Sequence, residues 1–215
     1  MKALPMYRKR SQGKLITFCG LDGAGKSTMI RLTIDYLKGQ GKRVFLTKQP
    51  TDLVRNSDIF RTFQDSPDHA EYSYLTLSLL AAADRIQHTS NVILPQLNEN
   101  DYVISDRYIY SCLANLHARS YSDDKWLYDI SKSIPRPDLA FFVDVPVSLA
   151  INRVRSRPQE KDRYVDVAFQ EKLRNEYLQM SEWKNSILID GTIPIKAEFA
   201  AIIREINKLE EPNDE

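Results

Sequence analysis

A chain of 215 residues with 42% hydrophobic residues and ten scattered prolines can build one substantial core, and its composition is not that of a disordered or fibrous protein. Lys plus Arg number 30 against 29 Asp plus Glu, so the formal charge of +1 argues against a protein that coats nucleic acid, and any anion binding must come from local clusters. Two cysteines, Cys19 and Cys112, far apart in sequence and without metal-type spacing, argue against a disulfide framework. No apolar run approaches the ~18 residues of a membrane span and the first twelve residues lack the apolar centre of a signal peptide, so a cytoplasmic protein with no membrane partner is expected.

In chain order, residues 1–12 form a leader whose Arg8-Lys9-Arg10 run predicts a solvated, partly disordered segment. A single domain is expected over 13–209. It opens with Leu15-Ile16-Thr17-Phe18-Cys19, an apolar, β-branched run that reads as a buried strand. The strand feeds a turn spaced by Gly20, Gly23 and Gly25, and after Thr28 apolar residues recur at helical steps (Met29, Ile30, Leu32, Ile34, Leu37). Gly20, Gly25, Lys26 and Ser27 match G-x-x-x-x-G-K-[ST], in which backbone amides and a helix start cradle phosphates. Lys26 is then expected on the β- and γ-phosphates and the Ser27 hydroxyl on Mg²⁺.

Gly39 and Gly41 end the first helix, and Arg43 to Thr47 predicts a second strand. Lys48 after it falls where ligands gather at the carboxyl ends of parallel strands, although a plain surface lysine is the other reading. Ile59, Phe60 and Phe63 suggest a short helix closed near Pro67. His69 to Glu99 reads as the longest helix, kinked or divided at Pro95, with Arg85 either functional or a solvated helix arginine. Tyr102 to Ser105 predicts a third strand carrying Asp106-Arg107 at its tip, where a carboxylate can hold a metal's water shell and a guanidinium can grip phosphate; a structural ion pair is the alternative.

Helices are predicted over Tyr110–Ala118 and Ser122–Ser133, a fourth, fully buried strand over Leu139–Val143, and a helix opened by Pro146. Arg153, Arg155, Arg157, Lys161 and Arg163 then crowd within eleven residues around Pro158. This loop is either an ordinary surface or a lid, about 153–165, that closes over a triphosphate. Val167–Trp183 and Ile195–Leu209 read as helices flanking a fifth strand at Ile187–Ile189, and residues 210–215 form an acidic tail. Strands alternating with helices specify an α/β fold, a parallel sheet covered on both faces.

Taken together, FCGLDGAGKST (Phe18 to Thr28), Thr47 to Pro50, AADRIQH (Ala82 to His88), VISDRYIYS (Val103 to Ser111), PDLAFFVDVP (Pro137 to Pro146) and Asp162-Arg163-Tyr164 resemble the thymidylate kinase family of nucleoside monophosphate kinases. The resemblance implies a P-loop three-layer sandwich with a five-stranded parallel sheet and a small lid. It also implies transfer of the ATP γ-phosphoryl group to dTMP or a related nucleoside monophosphate, with Mg²⁺, in a homodimer. Transferred residue by residue, it places ATP on Gly20, Asp22, Gly23, Ala24, Gly25, Lys26, Ser27, Thr28 and Arg153. The metal falls to Ser27 and Asp106, and catalysis to Lys26, Asp106, Arg107, Arg157 and Arg163. The acceptor falls to Asp22, Lys48, Arg85, Arg107, Tyr110, Ser111 and Asn115. With glycine at 23, the catalytic arginines are those of the lid. Four departures concern the acceptor: Lys48 and Gln49 stand where the family usually has Arg and Glu, the family's base-stacking Phe aligns with Ala81 and its base-binding Gln with Leu116. These leave open a different acceptor, or a nucleotide-binding module without turnover. Tyr74, Tyr108, Tyr110, Asn115 and His117 are candidates to line a rebuilt base pocket.

Overall fold

The computed structural model describes residues 2–66, 68–69 and 71–210. The predicted stop at Pro67 and the acidic tail beyond Glu210 lie outside them.

Five strands occur among these residues: β1 (Lys14–Cys19), β2 (Val44–Lys48), β3 (Tyr102–Asp106), β4 (Leu139–Asp144) and β5 (Ser186–Asp190). All pair in parallel, in the order β2-β3-β1-β4-β5. The three central strands are the continuous apolar runs, because helices cover both of their faces; Phe18 and Phe141 are fully buried with ring centroids 5.1 Å apart. The edge strands β2 and β5 alternate, leaving Leu46 and Leu188 about half exposed. Register sets the site: Phe18 pairs with Asp106, and Asp106 with Lys48, so the tips of three neighbouring strands sit side by side at the start of the loop after β1.

Helix α1 (Lys26–Gly39) follows that loop and packs beside the closing helix, Ile195–Lys208. Short helices α2 (Asp52–Arg55) and α3 (Asp58–Asp65) lead to α4 (Tyr74–His88). Thr51, Ser57 and Ser73 cap the starts of these three with their hydroxyls, satisfying amides that have no intrahelical partner. The long helix expected from His69 to Glu99 is a correction in detail. It begins only at Tyr74, and before Pro95 it widens into a π-turn (Thr89–Ile93) that leads into α5 (Leu94–Glu99). Proline has no N–H to continue the ladder, and the wider turn accommodates that loss without breaking the rod. Helices α6 (Tyr110–Ala118), α7 (Lys125–Ser131), α8 (Val147–Arg155), α9 (Val167–Met180) and α10 (Ile195–Lys208) complete the cover.

The leader is a second correction. Arg8 and Arg10 are exposed, but Leu4 and Met6 are buried, 3% and 4% exposed, and Tyr7 forms a parallel bridge with Pro135. Lys9 pairs with Asp138 at 2.9 Å. The apolar alternation of Leu4 and Met6 supplies burial that outweighs the solvation of the neighbouring cations.

Candidate active site

The loop Gly20–Gly25 is shaped by sterics. Gly20 and Gly23 have φ of +133° and +84°, and a Cβ on either would stand 2.3 Å from the Val143 carbonyl oxygen or 2.2 Å from that of Ala150. Helix α8 thus closes position 23 to any side chain, so cations for the loop must come from elsewhere. The first turn of α1 carries no acidic residue, which leaves its positive end open to an anion. Lys26, 6% exposed, donates to the carbonyls of Leu21 (2.7 Å) and Gly20 (3.2 Å). Burial, with Arg107 nearby, pushes its ammonium pKa down to about 8 against the pull of Asp22 and Asp106.

Arg107, at the tip of β3, holds a left-handed backbone (φ 69°) that the hydrogen bond its backbone N–H donates to Phe18 O (2.8 Å) helps to fix. Its guanidinium donates to Gly20 O (3.1 Å), the Tyr177 hydroxyl (3.1 Å) and Asp22 Oδ1 (2.5 Å). Arg163 from the segment after α8 reaches the other oxygen, Asp22 Oδ2, at 3.2 Å and Glu160 at 2.7 Å. Burial would raise the Asp22 carboxyl pKa, but Arg107, Lys26 and Arg163 outweigh it and hold the group well below the usual carboxylate range. The basic segment after α8 therefore contacts the loop, with Arg157 and Arg163 both lining the cavity.

That cavity, about 570 Å³, runs from the loop to α4 and α6. Asp22, Gly23, Gly25, Lys26, Ser27 and Thr28 line one end together with Lys48, Asp106 and Arg107, and Arg85, Ser111 and Asn115 line the part toward α4 and α6. Arg85 is 3% exposed; its guanidinium donates to Ala81 O (2.8 Å) and Tyr108 O (3.4 Å), and no carboxylate lies within 4 Å of it among the described residues. A buried cation supported only by carbonyls and opening on a cavity calls for an anion there, which decides against the solvated-arginine reading. Asp84 beside it is structural: its carboxylate accepts from the Thr51 amide (2.8 Å) and hydroxyl, fixing α2 onto α4.

A divalent cation fits this end. Asp106 Oδ1 is buried without a hydrogen-bond partner and the Ser27 hydroxyl lines the same cavity, a hard-oxygen pair of the kind Mg²⁺ takes while keeping waters.

Several expected residues lie elsewhere. Tyr110 is 3% exposed and packs against Phe142 (5.4 Å between centroids) and Trp183 (6.0 Å), and it is not among the residues that line the cavity. Tyr108 is also buried, its hydroxyl donating to Pro135 O (2.8 Å), and His117 lies against Asp124 and Glu176. Leu116 is fully buried and does not line the cavity; Asn115, one position earlier on the helix, does. Arg153 stands behind the loop and braces it through Ala24 O (3.3 Å) and Gly191 O (3.1 Å). Residues that sequence reasoning missed line the far end: Phe63, Phe169, Ser78 and Arg119. Aromatic and small residues at helical spacing look like core, so only their shared cavity distinguishes them.

Comparison with known proteins agrees with this geometry. The thymidylate kinase family model matches residues 18–202. A probable thymidylate kinase of Pyrococcus horikoshii is 39% identical over 175 residues, 80% of this chain and 84% of the relative. One from Thermococcus kodakarensis is 39% identical over 168 residues, 76% and 82% of the two chains. The thymidylate kinase of a Sulfurihydrogenibium species is 33% identical over 188 residues, 85% and 91%. No helix among the described residues is long and apolar enough to cross a membrane. A match that runs from the strand before the phosphate loop to the closing helix, with relatives covered over most of their length, places this chain in the thymidylate kinase family.

Proposed function

We propose that the protein transfers the γ-phosphoryl group of ATP to the phosphate oxygen of dTMP or a related (deoxy)nucleoside monophosphate, releasing ADP and a nucleoside diphosphate. The observation that carries this reading is the pair of guanidiniums, Arg85 and Arg107, lining one cavity with the phosphate loop, the first buried without a carboxylate. A protein that only held a nucleotide would need no fixed cations opposite the donor phosphates.

In this reading the donor phosphates lie along the loop, drawing Lys26 from the Leu21 and Gly20 carbonyls. The acceptor phosphate lies between Arg85 and Arg107, and Asp22 receives the acceptor sugar's 3′-hydroxyl. Arg157 and Arg163 from the lid, with Lys48, spread positive charge over the group in transit, and in-line placement supplies the rest. Ser27 and Asp106 would hold Mg²⁺, which would supply positive charge against the donor phosphates. Thr28 and the backbone of Gly20, Gly23, Ala24 and Gly25 complete the donor site, braced by Arg153; Ser111 and Asn115 complete the acceptor side. A cytoplasmic homodimer is part of the proposal, supported by the exposed Leu53 and Leu79, 73% and 48% exposed, on α2 and α4.

A coupled assay of ADP release over a panel of monophosphates tests the reading. Thymidylate-stimulated turnover is expected. Turnover with an unrelated acceptor only, or none with any, overturns it.

A further inference from the structure

Tyr177 on α9 is buried, 4% exposed, and has no place in the transfer described above. Its hydroxyl lies 3.1 Å from Arg107 Nη1 and 3.1 Å from Ser111 Oγ, and Ser111 in turn reaches the Cys19 thiol on β1. The directions in this chain of hydrogen bonds are fixed. A guanidinium only donates, so the phenol oxygen accepts from Arg107 and its own proton goes to Ser111. Nη1 gives its two hydrogens to Gly20 O and to Tyr177, and Nη2 gives one to Asp22 Oδ1. Of the five donors of an arginine, the Nε–H and one Nη2–H are left without a protein partner among the described residues.

That arrangement restrains a competitor. A two-pronged pair between a guanidinium and a carboxylate is stronger than one bond to a neutral phenol, and Asp22 is the carboxylate at hand. Arg163 engages its second oxygen, Oδ2, at 3.2 Å, while Nη1, held by Gly20 O and Tyr177, is not free to close a fork on it. Without the phenol oxygen, Nη1 turns to the carboxylate, the guanidinium plane rotates, and the two donors left for a ligand rotate with it. Resting on the acceptor assignment above, we infer that Tyr177 is the positioning residue for Arg107: its hydroxyl keeps Nη1 off Asp22 and so holds Nε and Nη2 toward the acceptor phosphate. Tyr177 acts only through the guanidinium. It stands about three turns along the helix that begins just after the basic segment, so α9 joins the aim of the acceptor arginine to the element that carries Arg157 and Arg163.

The test is a double-mutant cycle read on binding. For the full chain with Mg²⁺ and without ATP, the Kd of thymidylate is measured by titration calorimetry in the wild type, in Tyr177→Phe, in Arg107→Ala and in the variant carrying both changes. Tyr177→Phe keeps the ring against Phe142, 6.1 Å between centroids, and removes only the hydroxyl. It should raise the Kd roughly five- to twentyfold, yet weaken binding by no more than about twofold once Arg107 is already alanine. The Kd of ATP should stay within about twofold of the wild type in Tyr177→Phe. A tyrosine that matters only for packing would weaken thymidylate binding by the same factor in both backgrounds; that result, or an unchanged Kd in Tyr177→Phe, overturns the inference. A crystal structure of Tyr177→Phe gives a second readout, with Nη1 and Nη2 of Arg107 both on Asp22 expected and an unmoved guanidinium contradicting the role. A wild type that does not bind thymidylate, or an Arg107→Ala that binds it as the wild type does, sinks the acceptor assignment as well. Weakened binding in Arg107→Ala beside wild-type binding in Tyr177→Phe sinks this inference alone.

Discussion

Lys26 shows how one residue carries both the cost and the use of the site. Its ammonium is buried beside Arg107, so in the empty enzyme its pKa falls to about 8, and the carbonyls of Gly20 and Leu21 are its hydrogen-bond acceptors. A triphosphate brings negative charge that favours the protonated form. ATP binding at pH 8.5 to 9.5 should therefore be accompanied by proton uptake that vanishes near pH 6.5, measured by titration calorimetry in buffers of different ionisation enthalpy; binding without uptake at the higher pH would contradict the assignment. In the proposed function Arg107 and Arg85 differ from it in facing the acceptor. Arg107→Ala should raise KM for the monophosphate more than KM for ATP, by roughly ten- to a hundredfold, the worth of hydrogen bonds to a charged group. Steady-state kinetics with each substrate varied would expose the error if the ATP constant moved instead.

At the scale of elements, the lid is held by charge rather than by packing. Arg163 joins the segment after α8 to Asp22 in the loop, at a pair partly open to water, so the contact is worth about 1 kcal/mol and is poised to exchange partners when phosphates arrive. Arg163→Ala should speed amide exchange across 157–166 by roughly fivefold in the ligand-free protein, a number that follows from the same energy. Exchange that stayed at the wild-type rate would mean the lid rests on other contacts.

A different junction ties β2 to α4. His88 Nε2 lies 2.8 Å from Thr47 Oγ1 and Nδ1 lies 3.1 Å from Gln49 Nε2. Burial lowers the His88 pKa, so the native imidazole stays neutral at a pH where the unfolded chain has taken up a proton. The unfolded state then binds more protons, and stability falls as pH drops from about 6.5 toward the native pKa. Urea titrations at pH 7 and 5.5 should show this slope and a flatter one in His88→Gln; equal slopes would assign the loss to other groups.

For the whole molecule, the leader acts as a strap beneath the sheet. Leu4 and Met6 each withdraw a side chain from water, Lys9 pairs with Asp138, and Asp138 in turn accepts from the Leu15 amide at 2.7 Å, where β1 begins. Burial of two such side chains is worth about 3–5 kcal/mol as an upper estimate. Removing residues 2–10 should lower Tm by about 10 °C while thymidylate kinetics at 25 °C stay near the wild type, because the strap lies at the end of the strands remote from the loop. A truncated chain with unchanged Tm would show that the buried contacts contribute nothing net.

The sequence by itself determined what depends on local spacing. Glycines at 20, 23 and 25 ahead of Lys26 and Ser27 specify an anion-binding loop, continuous apolar runs specify the inner strands, and Asp106-Arg107 at a strand tip is legible because parallel strands deliver their ends to one edge. Only the tertiary structure decided which helix faces meet across the cavity. Tyr110 and Asn115 share α6, yet a rotation of roughly 140° between positions five apart sends one into the core and the other to the site. Arg119, Phe63, Tyr74 and Phe169 come from four separate segments and meet only when α4, α6 and α9 pack, so no spacing along the chain marks them. The leader follows the same rule: charge density is visible in sequence, but the surface that buries Leu4 and Met6 exists only after the sheet and its covering helices have formed.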